Sequence, residues 1–585
     1  MVRRSLVTTA DYHLWPKDKP VVFIGEWCKR FSEKSRWERI NSKTASYHWD
    51  DRIKLTNDSI FLDKVYEDCL LELSKKLNSI HNKKYSPRFW RILLGPWLGL
   101  FIQILFDRWK MLIISLESFN IDSCNVYKFN LEKIVPNDTN HFTQILVTDS
   151  WNEAIYAKLL ELIPHNLEIN TLDEKKIDIS LNSGASIKQK IKSLLISCIT
   201  IFEKPLAQKD KIFLFNSGFS ILKNFQIQLK FKQIPKIWTS SQIPKFEINE
   251  AKRDWNLNLK STQCDFSEIV ESIIPLCIPK IYLEGFQGIL NLQNKLPWPS
   301  NPSVIFTSNA YFTDDVFKIW AASKTEKKSK LLVGQHGGNF GMTTRAFLEK
   351  HQIKISDNFL SWGWTDKNNK KIISSENLIT DRDFKGYDPL GKALMVQYTL
   401  PRYSYQIYSV PIASQWLDYF DQQCRFIENL TFEVKNKTKL RLYKKDFGWD
   451  QFSRWNDLFP ELSYDFATRP MKEVASRSRI FIATYNATTY LESLSWNMPT
   501  IIFWKPEHWE LNDEASKYFD LLESVGIFHK TPESAANMLI SIWDDIESWW
   551  WSDKVQEAVN TFCNKYSSVS DDSTHKIESI FKKYI

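Results

Sequence analysis

MKEVASRSRIFIATYNATTYLESLSWNMPTIIFW, residues 471–504, holds two short apolar runs, Ile480–Ala483 and Thr500–Trp504, separated by the helix-length segment Thr489–Trp496. Near-continuous apolar strands on either side of a helix signal a parallel sheet covered on both faces. Ligands of such sheets bind outside the carboxyl ends of the strands. Here that edge carries Thr484, Tyr485, Asn486, Ala487 and Thr488, with Glu492 one turn into the helix. Backbone N–H groups and hydroxyls there suit a phosphate, and Glu492 a ribose. Thr489-x-x-Glu492 also fits a capping box, a role compatible with the first.

Outward from this unit the same alternation recurs. A strand over Lys392–Gln397 leads through the loop Tyr398–Tyr405 to a helix around Ile412–Asn429, and the strand Lys439–Tyr443 ends in Lys444, Lys445 and Asp446. Helices follow from about Asn512. Earlier in the chain, apolar runs stop at small or polar residues: Pro20–Glu26, Gln144–Val147 before Thr148-Asp149-Ser150, Lys211–Phe215, Ser303–Phe306, Leu331–Gly334 and Asn358–Trp362. Helical patterns lie between them, over about 60–82, 151–163, 187–202, 266–292 and 314–327. Strands alternating with helices predict an α/β fold. Residues 365–391 are polar and rich in breakers, so the linker is placed there. The expected architecture is GT-B-like, two Rossmann-like domains facing across a cleft: residues 1–375 on the acceptor side, 376–545 binding a nucleotide donor, and helices over 546–585.

The 585 residues are 43% hydrophobic and 25% charged, with a formal net charge of +8. That is ordinary globular composition for two or three domains. The lysines are dispersed, so no nucleic-acid partner is expected, and the excess suits an anionic small substrate or membrane surface. The eight cysteines form no C-x-x-C pair, which predicts a reduced, cytoplasmic protein without structural zinc. The start, MVRRSLVTTADYHLW, lacks the apolar core of a secretory signal. The uncharged run Ile92–Phe106 spans 15 residues, short of the ~18–20 needed to cross a bilayer. A buried helix broken at Gly95-Pro96 is expected there, with an interfacial anchor as the alternative.

Several residues carry candidate chemistry. Gly334-Gln335-His336-Gly337-Gly338-Asn339-Phe340-Gly341 follows a strand directly, and its glycines let backbone approach an anion closely. His336 is placed as a general base or phosphate donor, Gln335, Gly337 and Gly338 as donor-binding. A glycine-rich turn with a solvated histidine is the plainer alternative. Glu26, and less directly Asp149, are expected at strand ends facing the same crevice, where a carboxylate deprotonates an acceptor hydroxyl. Arg441, Lys444 and Lys445 are candidates for neutralising donor phosphate, or else a solvated basic turn. The chain has no G-x-x-x-x-G-K-[ST], no G-x-G-x-x-G after a strand, no H-E-x-x-H and no G-x-S-x-G, which removes the main support for ATPase, dehydrogenase, zinc peptidase and serine hydrolase chemistry. No cofactor is expected, and no D-x-D stands in a loop of the first half where it would call for a metal.

The segments Ser5–Ala10, Val22–Cys28, Arg88–Trp97, Gly334–Gly338 and Ala483–Glu492 resemble those of transferases encoded in bacterial O-antigen and other surface-polysaccharide gene clusters. More distantly, Gln335-His336-Gly337 followed by Asn358–Trp364 looks like the cleft of CDP-glycerol polymerases and CMP-ulosonate capsule transferases. Lys444-Lys445 departs from the arginine–proline pair such relatives favour in that loop. The resemblance implies a metal-independent GT-B glycosyltransferase, cytoplasmic and peripheral on the inner membrane, moving a sugar from a nucleotide-sugar donor, with CMP-ulosonic acids among the candidates, to a lipid-linked glycan. Transfer of a polyol phosphate from a CDP donor and a catalytically silent scaffold for glycan or partner enzymes are the alternatives.

Overall fold

The computed structural model describes residues 2–173, 209–259, 264–377, 384–569 and 573–585. The helix expected over 187–202 lies outside them. The described strands form three sheets, and every pairing in them is parallel. The first contains β1 (Arg4–Val7), β2 (Val21–Phe23), β3 (Ser42–Thr44), β4 (Ile121–Tyr127) and β5 (Glu168–Leu172), in the order β3-β2-β1-β4-β5. The second runs β10-β9-β8-β7-β6, from β6 (Ile212–Leu214), β7 (Val304–Thr307), β8 (Lys330–Gly334), β9 (Asn358–Ser361) and β10 (Ile372–Ser374). The third has β11 (Lys392–Val396), β12 (Thr438–Arg441), β13 (Ser463–Asp465), β14 (Ser478–Ala483), β15 (Thr500–Phe503) and β16 (Phe528–His529), ordered β13-β12-β11-β14-β15-β16.

The fold is α/β and GT-B-like, with Rossmann-like halves meeting at a cleft. The part before the third sheet nevertheless holds two sheets where one was expected. The third sheet has the doubly wound order 3-2-1-4-5-6, whose direction reverses between β11 and β14. A ligand crevice is expected at that reversal. The helix Ser573–Lys582 returns to the second sheet, where Ile577, Ile580 and Phe581 pack on Ile212, Phe306 and Leu332.

Two expectations about strands need correction. Gln144–Val147 is no strand: Asp138 caps the helix Thr139–Ile145, and Thr148 then caps Asp149–Leu162. A four-residue apolar run does not separate strand from helix, and two Asx/Thr caps decide it here. β1 pairs with β4, whose sequence IDSCNVY is too polar to read as a buried strand. Finally, β10 falls inside the expected linker 365–391 and pairs with β9.

The apolar helix is continuous over Pro87–Ser118, with Pro96 inside it. It is long and apolar enough to cross a membrane, but 94% of its most apolar window is buried within the protein. Next to the carbonyl that Pro96, without an N–H, leaves unbonded, Leu93 O accepts from Tyr282 Oη at 2.8 Å and from Lys318 Nζ at 3.1 Å. Lys318, fully buried, is paired with Asp315 at 2.7 Å. At Gly99 a Cβ would lie 1.8 Å from the Phe347 ring, so the glycine lets the helix Phe347–Ile355 dock flush.

Candidate functional site

Three loops meet at the β11/β14 reversal. Tyr398 follows β11, Tyr443 follows β12 and Tyr485 follows β14, and their rings pack together: Tyr398 stacks on Tyr485 at 4.9 Å and meets Tyr443 edge-on at 5.2 Å. Burial pushes the Tyr398 phenol well above its ordinary value, and the nearby phenols of Tyr405, Tyr443, Tyr408 and Tyr485 add to the shift. The hydroxyls therefore stay protonated, and the crevice wall is aromatic and rich in neutral O–H groups.

Beside this wall the helix Thr488–Ser495 begins at Ala487, with no side chain capping it. The capping box is not formed: Thr489 lies inside the first turn and its hydroxyl donates to Tyr485 Oη at 3.0 Å. An uncapped helix start carries orphan N–H groups and partial positive charge. Asn486 is buried, its Oδ1 accepts from Tyr490 Oη at 3.0 Å, and its Nδ2 has no partner among the described residues. Thr484 plays an internal role, donating to Val396 O at 2.7 Å and meeting Tyr419 Oη at 2.6 Å, which ties β14 to β11. Glu492 is half-buried and has interactions of its own.

The glycine stretch after β8 reaches this helix start from the other side. A Cβ on Gly338 would lie 2.6 Å from the backbone of Ala487 and Thr488, so only glycine permits the approach. The two strongest sequence signals are thus brought together. Gln335 shapes the loop: it is buried, its Oε1 accepts from Trp362 N at 2.9 Å and Trp364 Nε1 at 2.8 Å, and its Nε2 donates to Gly337 O at 2.7 Å. It orients the glycines and has little left for a ligand. His336 keeps contact with solvent. Crowding by its surroundings lowers its pKa, so the ring is neutral near pH 7 and able to take a proton. Further along, Gly341 N donates to Glu349 Oε2 at 2.8 Å, and burial raises the Glu349 carboxyl to about 7. Tyr408 Oη donates to Asn339 Oδ1 at 3.1 Å.

The two other catalytic candidates lie elsewhere. Glu26 begins a short 3-10 turn, pairs with Lys29 at 2.7 Å, and lines a cavity of about 530 Å³ between the first sheet and the C-terminal half. Thr44, Asp50, Gln415, Asp418, Lys505 and His508 share that cavity, and His336 is not among its lining residues. Glu26 and His336, expected at one crevice, do not line this cavity together. Asp149 is not at a strand end but in the first turn of its helix. Its Oδ2 accepts from Arg30 at 2.8 Å and Arg402 at 2.7 Å, and its Oδ1 from Tyr403 Oη and from Ala10 N at 3.3 Å. Burial alone would raise its pKa, but Arg402 and Arg30 hold it below the ordinary carboxylate range. A fully used, permanently charged carboxylate is a poor proton acceptor, and Asp149 ties the first sheet to the loop after β11.

Among the basic candidates, Arg441 is buried and donates to Asp465 Oδ2 at 3.0 Å and Arg469 O at 2.8 Å. Lys444 and Lys445 are exposed and make no ion pair among the described residues, Lys445 lying 6.0 Å from the Phe447 ring. Sequence reasoning missed Tyr398, Tyr443 and Glu349. The first two sit directly after apolar strands, a signal that was available; Glu349 becomes visible only once its helix folds under the glycine loop.

The family model described as LIC12162 family transferase matches residues 4–581. No curated protein matches the chain. Among solved structures it is similar to an α,α-trehalose 6-phosphate synthase from Burkholderia multivorans, at 8% identity over 51% of this chain and 77% of that one, TM-score 0.30. It is similar also to the wall teichoic acid polymerase TagF, at 9% identity over 68% and 96%, TM-score 0.28, and to WaaG, a glycosyltransferase of lipopolysaccharide biosynthesis, at 8% over 52% and 95%, TM-score 0.25. At these values none of the three bears on the chemistry of this chain.

Proposed function

The chain belongs to the LIC12162 family of transferases, and from that premise we propose that it is a GT-B glycosyltransferase. It moves a sugar from a nucleotide-sugar donor to a lipid-linked glycan of O-antigen or another surface polysaccharide, at the cytoplasmic face of the inner membrane. The observation that carries this reading is the uncapped start of the helix Thr488–Ser495, with the buried Asn486 Nδ2, which has no partner among the described residues, beside it and the Gly338 backbone against it.

Each part has a task. The helix N–H groups and the Asn486 amide meet the donor phosphate, and the Tyr398–Tyr443–Tyr485 wall stacks the base and offers hydroxyl donors. The acceptor hydroxyl gives its proton to neutral His336 as its oxygen bonds the anomeric carbon. The bond from that carbon to the donor phosphate breaks, and the charge growing on the departing oxygen is met by donors already in place, at no cost in reorganisation. Glu26 and the polar walls of its cavity hold the acceptor's outer sugars through hydroxyl-to-carboxylate hydrogen bonds. No step asks for a metal ion.

The test is thermal unfolding of the protein with CMP, CDP, UDP, GDP and their sugars, since a ligand of the folded state raises apparent stability by mass action. One nucleotide class is expected to raise the melting temperature, and Asn486→Asp, which sets a carboxylate against the phosphate, to abolish the rise. No rise with any nucleotide, or a rise unchanged in Asn486→Asp, would overturn the site and favour a silent scaffold. A phosphodiester instead of a glycoside in the product would replace sugar transfer with polyol-phosphate transfer.

A further inference from the structure

The apolar helix that suggested an anchor is buried, yet exposed aliphatic side chains gather at another place. Ile221, Leu222, Leu229, Ile234 and Ile237 are 59%, 75%, 59%, 52% and 62% exposed within one short segment on the edge of the second sheet. On the helix Ile221–Lys230, Leu222, Phe225 and Leu229 fall at i, i+3 and i+7 and so share a face, and Phe225 is itself half-exposed. A helix serving only its own core would turn this stripe inward.

The inward positions of the helix are Ile227, packed in the core of the second sheet, and Gln228. Gln228 is buried, its Nε2 donating to Lys236 O at 3.0 Å and its Oε1 accepting from Lys236 N at 2.9 Å, which pins the loop carrying Ile234 and Ile237 to the helix. Gln233 closes the edge of β6, accepting from Ile212 N at 2.8 Å and donating to Ile212 O at 3.0 Å. The apolar face is therefore held on a firm platform, and the Ile212 groups a partner strand would need are already used.

Charge singles out the occupant. From Lys211 to Phe246 the sequence has six lysines, at 211, 223, 230, 232, 236 and 245, and neither Asp nor Glu. Lys211, Lys230, Lys232 and Lys245 are exposed. Three of the six are paired within the fold, Lys223 with Glu376 at 2.8 Å, Lys230 with Glu578 at 3.1 Å and Lys236 with Asp210 at 3.3 Å, while Lys211, Lys232 and Lys245 make no ion pair among the described residues. Aliphatic side chains set beside such lysines complement a surface that is apolar inside and anionic at its head groups. We infer that the segment 221–237 is the protein's docking face for an anionic lipid bilayer. This deepens the reading of a lipid-linked acceptor and rests on it: docking there brings the cleft to a substrate confined to the membrane.

The test is co-sedimentation of the full chain with vesicles of phosphatidylethanolamine and phosphatidylglycerol, against vesicles of phosphatidylcholine alone. Binding is expected to the anionic vesicles and to weaken with salt. The triple variant Leu222→Ser/Leu229→Ser/Ile237→Ser should bind at least about tenfold more weakly, and Lys211→Gln/Lys232→Gln about fivefold more weakly per lysine. Failure of the wild type to bind anionic vesicles, or unchanged binding by the triple variant, overturns the inference. So does a wild-type dimer that the triple variant converts to monomer, which gives the face to a second copy, or a melting temperature lowered by several degrees, which gives it to the chain's own packing. Nucleotide stabilisation measured on the same proteins separates the two readings: kept while vesicle binding is lost, it leaves the donor site standing; absent from a wild type that binds vesicles, it removes the donor site and leaves the docking face.

Discussion

The first and third sheets share the strand order 3-2-1-4-5 at their reversal points, and they treat the crevice there in opposite ways. At the first, the chain supplies its own anions. Ala10 N, past the end of β1, donates to Asp149, and Tyr127 N, at the end of β4, donates to Glu153 Oε1 at 2.8 Å. Arg402, almost fully buried, comes in from the loop after β11 to balance Asp149. At the third, the helix start is uncapped, Asn486 Nδ2 has no partner among the described residues and the Tyr398 and Tyr443 hydroxyls form the wall. The same backbone geometry is thus a closed joint in one half and a receptive site in the other. The difference lies in a few side chains: a carboxylate at the helix start in the one, alanine and threonine in the other.

The largest effect should come from opening the closed joint. Asp149→Ala leaves Arg402 buried without its carboxylate, and breaking a buried pair in this way costs about 3–5 kcal/mol. Denaturant titration should show that loss, with nucleotide stabilisation of the folded fraction kept. The pH dependence has a definite sign. Because the folded pKa of Asp149 is depressed, its contribution is present above the unfolded value and is lost as pH falls through the folded one. The stability gap between wild type and Asp149→Asn should therefore shrink toward acid pH and hold steady above about pH 5. A gap constant down to pH 2 would mean the carboxylate is not the anion of this joint.

Next in size is an attack on the open site. Gly338→Ala places a methyl 2.6 Å from the backbone of Ala487 and Thr488, atoms that have no flexible end to move aside. The two loops must part by roughly an ångström, a displacement that can cost about a hundredfold when groups must be aligned. Nucleotide affinity, read by titration calorimetry, should fall by one to two decades, while overpacking costs stability only about 1–3 kcal/mol. Unchanged affinity would show that the glycine loop and the helix start act separately.

A third prediction concerns the support of that loop. Glu349, raised to about 7 by burial, accepts the Gly341 N–H. Its folded pKa lies above its unfolded value, so the native state binds the extra proton, and stability should fall as pH rises from about 4.5 to 7 and level off beyond. Glu349→Gln, which stays neutral throughout, should flatten that slope. If wild type and variant have parallel profiles over this interval, Glu349 is ionised in the folded protein and is not the group that responds.

Much of the receptive site was legible because its signals are local. Apolar runs ending in Thr484–Thr488 and in Gly334–Gly341 marked both segments, and the fold brings them together at Gly338. What was hidden depended on partners far away in sequence. Asp149 looked like a strand-end carboxylate until Thr148 proved to be a cap and Arg402 to be its counter-ion. Glu26 was expected to share a crevice with His336, but it lines a cavity with Thr44, Asp50, Gln415 and Asp418 in which His336 has no part. Thr489 and Glu492 satisfied a capping pattern, yet Tyr485 claimed the threonine hydroxyl. Polar strands such as β4 carry no period for a reader to find, since they are held by neighbours on both sides rather than by their own apolar content.

The smallest effect separates charge near a site from charge in it. Lys444 and Lys445 are exposed on the turn after β12 and unpaired among the described residues, while Arg441, one turn earlier, is committed to Asp465. If donor phosphate is met by the helix start and the Asn486 amide, these two lysines act only at a distance. Exposed charges are screened over about 8 Å at physiological ionic strength. Lys444→Ala/Lys445→Ala should then weaken nucleotide binding no more than about threefold at 0.15 M salt, an amount within the range of an exposed ion pair, and the difference should vanish at 0.5 M. A loss of tenfold or more that persists in high salt would put a lysine on the phosphate itself, and the receptive crevice would have to extend from the β14 loop to that of β12.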